Sequence, residues 1–251
     1  MPKSLYDKIF HPSHKKRQEH EWRRLRRQYE RNADPRRIDI DWSQTNFNRV
    51  AVVNLLLAHQ PDARYLEIGC DRNELFDAVI AKNKTGVDPA RGGTHRLTSD
   101  EFFQHNNGAR YDVAFIDGLH LYEQAHRDVV NALRCVGAGG WIGLHDMFPR
   151  DWMEEHIPRL SLGWTGDVWK VAFELARSPH IEFKLLKIDR GVGVARVLRD
   201  GAQISDRSTE LADKRFPYFF DHAAELPILE YEAGRTWLEQ SLRMARLQAQ
   251  V

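Results

Sequence analysis

Cysteine is scarce in this chain. Two residues, Cys70 and Cys135, cannot build a disulfide framework and lack the paired spacing of a zinc site. They read as small buried side chains, and a reducing, cytoplasmic setting is the simplest expectation. Long apolar runs are also missing. Nothing approaches the roughly 18 residues of a membrane span. The opening "MPKSLYDKIFHPSHKKRQ" has no apolar core of a signal peptide. After the first apolar run, "LEIGCDRNE" lacks the G-x-G-x-x-G that lets a backbone approach a pyrophosphate; only Gly69 is present. Internal repeats and low-complexity segments are absent too.

Net charge is nearly absent as well, at +1, but it is unevenly spread. Residues 1–37 carry +7 and the remainder −6. The basic part, "HKKRQEHEWRRLRRQYERN", reads as a helix with Trp22, Leu25 and Tyr29 on one stripe. Such an arm packs on the main body or on a second copy, or binds an anionic surface such as RNA. The acidic body and the lack of a base-stacking motif argue against nucleic acid.

What is present is a regular alternation. Helix 46–59 precedes strand 63–69. There follow helix 73–82, strand 85–88, strand 111–117, helix 121–136, strand 141–146 and helix 165–176. Segments 182–188 and 192–198 read as a closing antiparallel pair joined by Asp189-Arg190-Gly191. This predicts an α/β fold with a doubly wound, mostly parallel sheet. Three regions are expected: a basic helical arm over 1–44, the α/β domain over 45–200, and a helical extension without strands over 201–251. Between Asp88 and Thr94 stand only the five residues "PARGG", short for a parallel crossover. "THRL" is therefore a short edge strand or not properly paired. The helix after it is expected to be capped by Ser99 or Asp100.

The apolar strands stop at Glu67, Asp88, Asp117 and Asp146. Ligands of open α/β sheets bind beyond these carboxyl ends. A row of acids there repels itself unless it meets a cationic ligand or a metal. Glu67 suits an amine or sulfonium. Asp88 stands at the spacing from which an acid reaches ribose hydroxyls. A nucleoside without phosphates and with a positive tail satisfies both.

Taken together, "YLEIG", "GVDPARGGTHRLTSDEFF", "FIDGLHLYEQAHRDVVNAL", "GGWIGLHDMFP" and "GDVWK" resemble a class I S-adenosylmethionine-dependent methyltransferase over about residues 45–200. The resemblance is nearest to the small-molecule O-methyltransferases of sugar, glycan and natural-product pathways. It implies a seven-stranded Rossmann-like sheet in the order 3-2-1-4-5-7-6, with strand 7 antiparallel. It implies S-adenosyl-L-methionine as cofactor and a small-molecule hydroxyl acceptor. Glu67 and Gly69 would meet the methionine part, Asp88 the ribose, and Ser99 or Asp100 the adenine edge, with Asp117 at the border of cofactor and acceptor. The cofactor loop, Gly69-Cys70-Asp71-Arg72-Asn73, lacks the family's common second glycine.

The resemblance extends to metal-dependent catechol-type O-methyltransferases. It implies that Asp117 and Asp146, with His145 as a softer neighbour, hold Mg²⁺ or Mn²⁺, and that His120 removes the hydroxyl proton. The competing reading uses no metal: His120 or His145 is the base and the acids orient it. Trp164 and Trp169 are candidate walls of an acceptor pocket, residues 147–160 a candidate lid, and Lys170 a solvated side chain. A homo-oligomer through the arm or the tail is a further expectation. Rival functions are an RNA-binding methyltransferase and a non-catalytic binding module on the same fold.

Overall fold

The computed structural model describes residues 14–249 except 59, 61 and 107. Residues 1–13 of the expected basic arm lie outside the described residues. Seven strands form one sheet: β1 (Arg64–Ile68), β2 (Asn83–Val87), β3 (Tyr111–Ile116), β4 (Val136–Leu144), β5 (Ile181–Leu186), β6 (Val192–Val197) and β7 (Ile228–Leu229). Their order is β2-β1-β3-β4-β6-β5-β7. The β2-β1-β3-β4 half is parallel, β6 runs antiparallel to β4 and β5, and β7 is parallel to β5.

Successive strand residues point to opposite faces, and both faces are apolar. Tyr65, Val113, Phe115 and Trp141 pack on one side with helix α2 (Arg49–Leu57) and the final helix α10 (Tyr231–Ala249), through Val53, Leu56, Leu238 and Leu242. Leu66, Ala114, Ile116 and Ile142 pack on the other with α4 (Ser99–Gln104), α5 (Tyr122–Cys135), α7 (Trp169–Leu175) and α9 (Phe216–His222). On α5, Ala125, Val129, Ala132 and Leu133 form the buried stripe that the 3.6-residue period predicts. Short helices α3 (Glu74–Ala78) and α6 (Trp152–Glu155) follow β1 and β4, and α8 (Ser208–Leu211) follows β6.

The sheet departs from the expected order at its two edges. "THRL" is not a strand: His95 makes a single bridge to Val87, and the Thr94 and His95 amides both donate to the Gly86 carbonyl. Five residues cannot carry a crossover, so the chain folds back beside β2. The seventh strand sits at the opposite edge, where Ile228–Leu229 pairs with Leu185–Leu186. No strand was expected beyond residue 200, because two residues show no periodicity. The cap of α4 is one residue earlier than expected. Thr98 and Glu101 form a reciprocal capping box, which leaves the Ser99 hydroxyl free for other partners.

Helix α1 (His14–Tyr29) lays Trp22, 6% exposed, against the body. Arg23, Arg24 and Arg27 face outward. The candidate lid is anchored at both ends: Met147 and Phe148 are core residues whose amides donate to the Gly191 and Arg190 carbonyls, and Leu160 is fully buried. Among the described residues no helix is long and apolar enough to cross a membrane.

Lys170 is not solvated. It is 0% exposed, and its ammonium donates to Asp167 Oδ2 at 2.8 Å and to the Ala212 carbonyl at 2.9 Å. Asp167 in turn accepts the Tyr122 amide at 2.7 Å, pinning the start of α5. Removing one member of a buried pair strands the other charge. Lys170→Ala is expected to cost about 3–5 kcal/mol in urea unfolding, whereas an exposed lysine would cost well under about 1 kcal/mol.

Candidate active site

Parallel register brings the strand ends level. The Gly69 amide donates to Val87, the Asp117 amide to Ile68, and the His145 amide to Ile116. Glu67, Gly69, Asp88, Asp117, His145 and Asp146 therefore open into one cavity of about 670 Å³, which Ser99 and His120 also line. Asp100 is not among that lining: its Oδ1 accepts Gln124 Nε2 at 3.3 Å and lies 3.6 Å from Arg127 Nε.

The cofactor loop is tightly determined. Gly69 has φ +89°, and a methyl group on it would lie 2.1 Å from the Asp117 carbonyl oxygen. Asp88 Oδ1 accepts the amides of Ala90 and Arg91 at 2.8 Å each, and Oδ2 accepts the Asp71 amide at 2.9 Å. Burial opposes ionisation of Asp88, but these amides outweigh it and hold its carboxyl below the usual range. Three of about four lone-pair sites are thus taken, which leaves one for an outside hydroxyl. Asp88 thereby ties the 69–73 loop to the turn that follows β2. Glu67 is 2% exposed, accepts the Tyr65 hydroxyl at 2.6 Å, and is pushed by burial up to about 7. A cation beside it would restore its charge. At the far end, Gln124 Nε2 on α5 bridges the Ser99 hydroxyl at 3.1 Å and Asp128 Oδ1 at 3.0 Å.

The other end of the cavity is a buried charge cluster. Asp117 Oδ1 meets His120 Nε2 at 3.1 Å, while its Oδ2 lies 3.4 Å from His145 Nδ1 and 3.9 Å from Arg49 Nε. His120 Nδ1 is 3.3 Å from Asp146 Oδ2, without the alignment of a hydrogen bond. Burial opposes charge on Asp117, yet the two histidines outweigh it and hold its carboxyl well below the usual range. Burial likewise opposes protonation of His145 and His120. The surrounding carboxylates prevail and raise both imidazoles, His145 strongly. Asp146, itself buried, is shifted up by burial.

Two of these residues occupy left-handed backbone, His120 at φ +43° and Asp146 at φ +57°. Non-glycine residues there cost on the order of 1 kcal/mol or more and persist where the surroundings hold them. One restraint on His120 is the loop 163–168. Its Gly166 passes so close that a Cβ would lie 1.8 Å from the His120 carbonyl oxygen.

Asp117, His120 and Asp146 offer ligand atoms that lie within 4.8 Å of one another. His145 stands beside the two acids as expected, with Nδ1 3.4 Å from Asp117 Oδ2 and 3.5 Å from Asp146 Oδ1, while its Nε2 lies 3.4 Å from Asp189 Oδ2 and 3.5 Å from Arg49 Nη1. His120 is the histidine that completes the trio. Two buried atoms there make no hydrogen bond, His120 Nδ1 and Asp146 Oδ1. Two carboxylates and one imidazole fit a borderline divalent ion better than a purely oxygen-seeking one.

Four arginine and aspartate positions in the site were not anticipated. Arg49 opens α2 and bonds Asp189 at 2.9 Å. Asp189 and Arg190 belong to the turn before β6, whose antiparallel course returns it to the ends of the parallel strands. Arg159 lies in the lid. Trp164 stacks on His120, with ring centroids 5.3 Å apart and planes at 23°, and forms a wall of the cavity as expected. Trp169 is fully buried in the core instead.

A family model described as "Methyltransferase domain" matches residues 22–147, half of the chain. No curated protein matches significantly. Among solved structures, the chain is similar to the O-methyltransferase from Bacillus cereus in complex with S-adenosylhomocysteine. Identity is 16%, coverage is 76% of this chain and 95% of that one, and the TM-score is 0.43. It is similar to an S-adenosylhomocysteine-bound methyltransferase from Podospora anserina, at 15% identity, 71% and 95% coverage and TM-score 0.43. It is also similar to the MycE methyltransferase of the mycinamycin biosynthetic pathway, in complex with Mg, S-adenosylhomocysteine and mycinamycin VI. There identity is 12%, coverage 57% and 47%, and the TM-score 0.39. With the sheet, the strand-end acids and the matched domain in agreement, the chain belongs to the methyltransferase-domain family and is a class I S-adenosylmethionine-dependent methyltransferase.

Proposed function

We propose that the enzyme moves the methyl group of S-adenosylmethionine to a hydroxyl of a small molecule, such as a sugar, a glycan unit or a natural-product precursor. The observation that carries this reading is the placement of His120 between Asp117 and Asp146, in the same cavity as Glu67 and Asp88. Asp88 has one lone-pair site left for a ribose hydroxyl, Glu67 suits the cationic methionine part, and Ser99 with Gln124 and Asp128 forms the adenine end. Methyl transfer is an in-line displacement, so holding the hydroxyl on the far side of the sulfonium carbon supplies much of the rate.

His120 is the proton acceptor in this reading. Its Nε2 is engaged by Asp117, and Nδ1 is the ring nitrogen without a hydrogen bond. The resting site favours the protonated ring, and a cation arriving beside it favours the neutral, basic form. Asp117 and Asp146 are the residues that would hold a divalent metal, which leaves His120 as the base. Such an ion supplies Lewis acidity that lowers the pKa of a hydroxyl.

Calorimetry with S-adenosylhomocysteine tests the cofactor site. The wild type is expected to bind, and Asp88→Ala to bind at least tenfold more weakly, a loss of about 1.4 kcal/mol. Undiminished binding in the variant would remove Asp88 from the site. His120→Ala should lower turnover by about 10²–10⁴-fold with cofactor affinity kept; equal turnover would exclude it as the base. Glu67 adds a pH dependence. Its folded-state pKa is raised to about 7, so at pH 6 it is mostly neutral and at pH 8 mostly charged. Because the cationic cofactor prefers the charged form, affinity should rise about tenfold from pH 6 to pH 8, and Glu67→Gln should flatten the profile.

A further inference from the structure

The cavity is electrically divided. Around the cofactor loop its lining is mostly acidic, with Glu67, Asp71, Glu74, Asp88 and Asp128 beside Arg72, whereas Arg159 and Arg190 line it together with His120, Asp146 and Trp164. The two guanidiniums are poorly neutralised. Arg159 donates to the carbonyls of Ser161 at 2.9 Å and Leu162 at 3.1 Å, and among the described residues it forms no ion pair with a carboxylate. Among the described residues Arg190 pairs with Asp146 alone, at 3.8 Å, and Asp146 is shared with His120 and His145.

Arg159 is nevertheless held in place. Its guanidinium lies 5.3 Å from the ring of Trp22 on α1 and 5.7 Å from that of Trp164. Trp164 in turn stacks on His120 and donates its indole N–H to the His156 carbonyl at 2.7 Å. Aromatic faces and neutral carbonyls orient a guanidinium without cancelling its charge. Burial outweighs the opposing charge of Asp146 and, with the nearby charge of Arg190, works against the charged form of Arg159. Two like charges set into one wall cost energy that a bridging anion removes.

On the reading of the cavity given above, we infer that the methyl acceptor carries an anionic group, a carboxylate or a phosphate, and that Arg159 and Arg190 recognise it. The guanidinium fork matches either group in bidentate fashion. Trp164 separates the recognition point from the base: one residue touches both Arg159 and His120. An acceptor held by its anion therefore presents a neighbouring hydroxyl to His120. Helix α1 acquires a role in this arrangement, because Trp22 buttresses Arg159 from behind. Trp22 is a positioning residue, and Arg159 and Arg190 are specificity-determining ones.

The test uses the protein loaded with S-adenosylhomocysteine and follows the Trp164 indole N–H resonance by NMR, assigned by its loss in Trp164→Phe. Inorganic phosphate, sodium glucuronate and glucose are titrated at constant ionic strength. Phosphate or glucuronate should move the resonance at millimolar concentration, and glucose should not. A response to phosphate alone assigns a phosphate ester, and a response to glucuronate alone assigns a carboxylate. Arg159→Gln and Arg190→Gln should each weaken the response at least tenfold, with Arg159→Lys restoring part of it and cofactor affinity unchanged in all three. The inference is overturned if neither anion acts beyond glucose, or if both glutamine variants respond like the wild type. Failure of S-adenosylhomocysteine to bind the wild type would instead overturn the reading of the cavity as a cofactor site.

Discussion

The charge cluster at the strand ends depends on keeping Asp117 ionised where water is scarce. A half-buried carboxylate is held charged by its partners, and Asp117 has three: His120, His145 and Arg49. Each partner is itself fixed by another acid. His145 and Arg49 share Asp189, and His120 faces Asp146. The result is a closed set of alternating charges in which no member moves alone. It also explains the left-handed backbone at His120 and Asp146, since both residues must leave regular structure to complete the set.

The same cluster accounts for the polarity of the cavity. Charges inside it are nearly matched, so the imbalance appears at the two ends. At one end burial pushes Glu67 towards neutrality; at the other Arg159 forms no ion pair among the described residues. These are opposite deficits, and they fit a cationic cofactor and an anionic acceptor meeting at His120. The sheet makes the meeting possible by ending β1, β2, β3 and β4 at one level, and Gly69 lets the first loop pass against Asp117.

Much of this was legible in the sequence, for identifiable reasons. Apolar runs ending in acids located Glu67, Asp88, Asp117 and Asp146, because in a parallel sheet a strand's end is also its place in the site. Period-2 and period-3.6 patterns located the central strands and α5. Arg49, Asp189, Arg190 and Arg159 carry no such signal. They reach the site through a helix start, an antiparallel return and a lid, so their positions are consequences of topology. The edge strand Ile228–Leu229 is too short to have a period. Lys170 did carry a clue, since Asp167 stands three residues before it at helical spacing. The five-residue "PARGG" link was informative as well: its length foretold that "THRL" would pair poorly.

The central claim is that one cavity holds a cationic nucleoside cofactor with its reactive sulfur facing His120. A crystal structure of the protein with S-adenosylhomocysteine tests it most directly. The account predicts the ribose against Asp88, the adenine beside Ser99 and Gln124, the amino-acid part near Glu67 and Gly69, and the sulfur directed towards Asp117 and His120. A nucleoside bound elsewhere, or bound here with its sulfur turned away from His120, would contradict it.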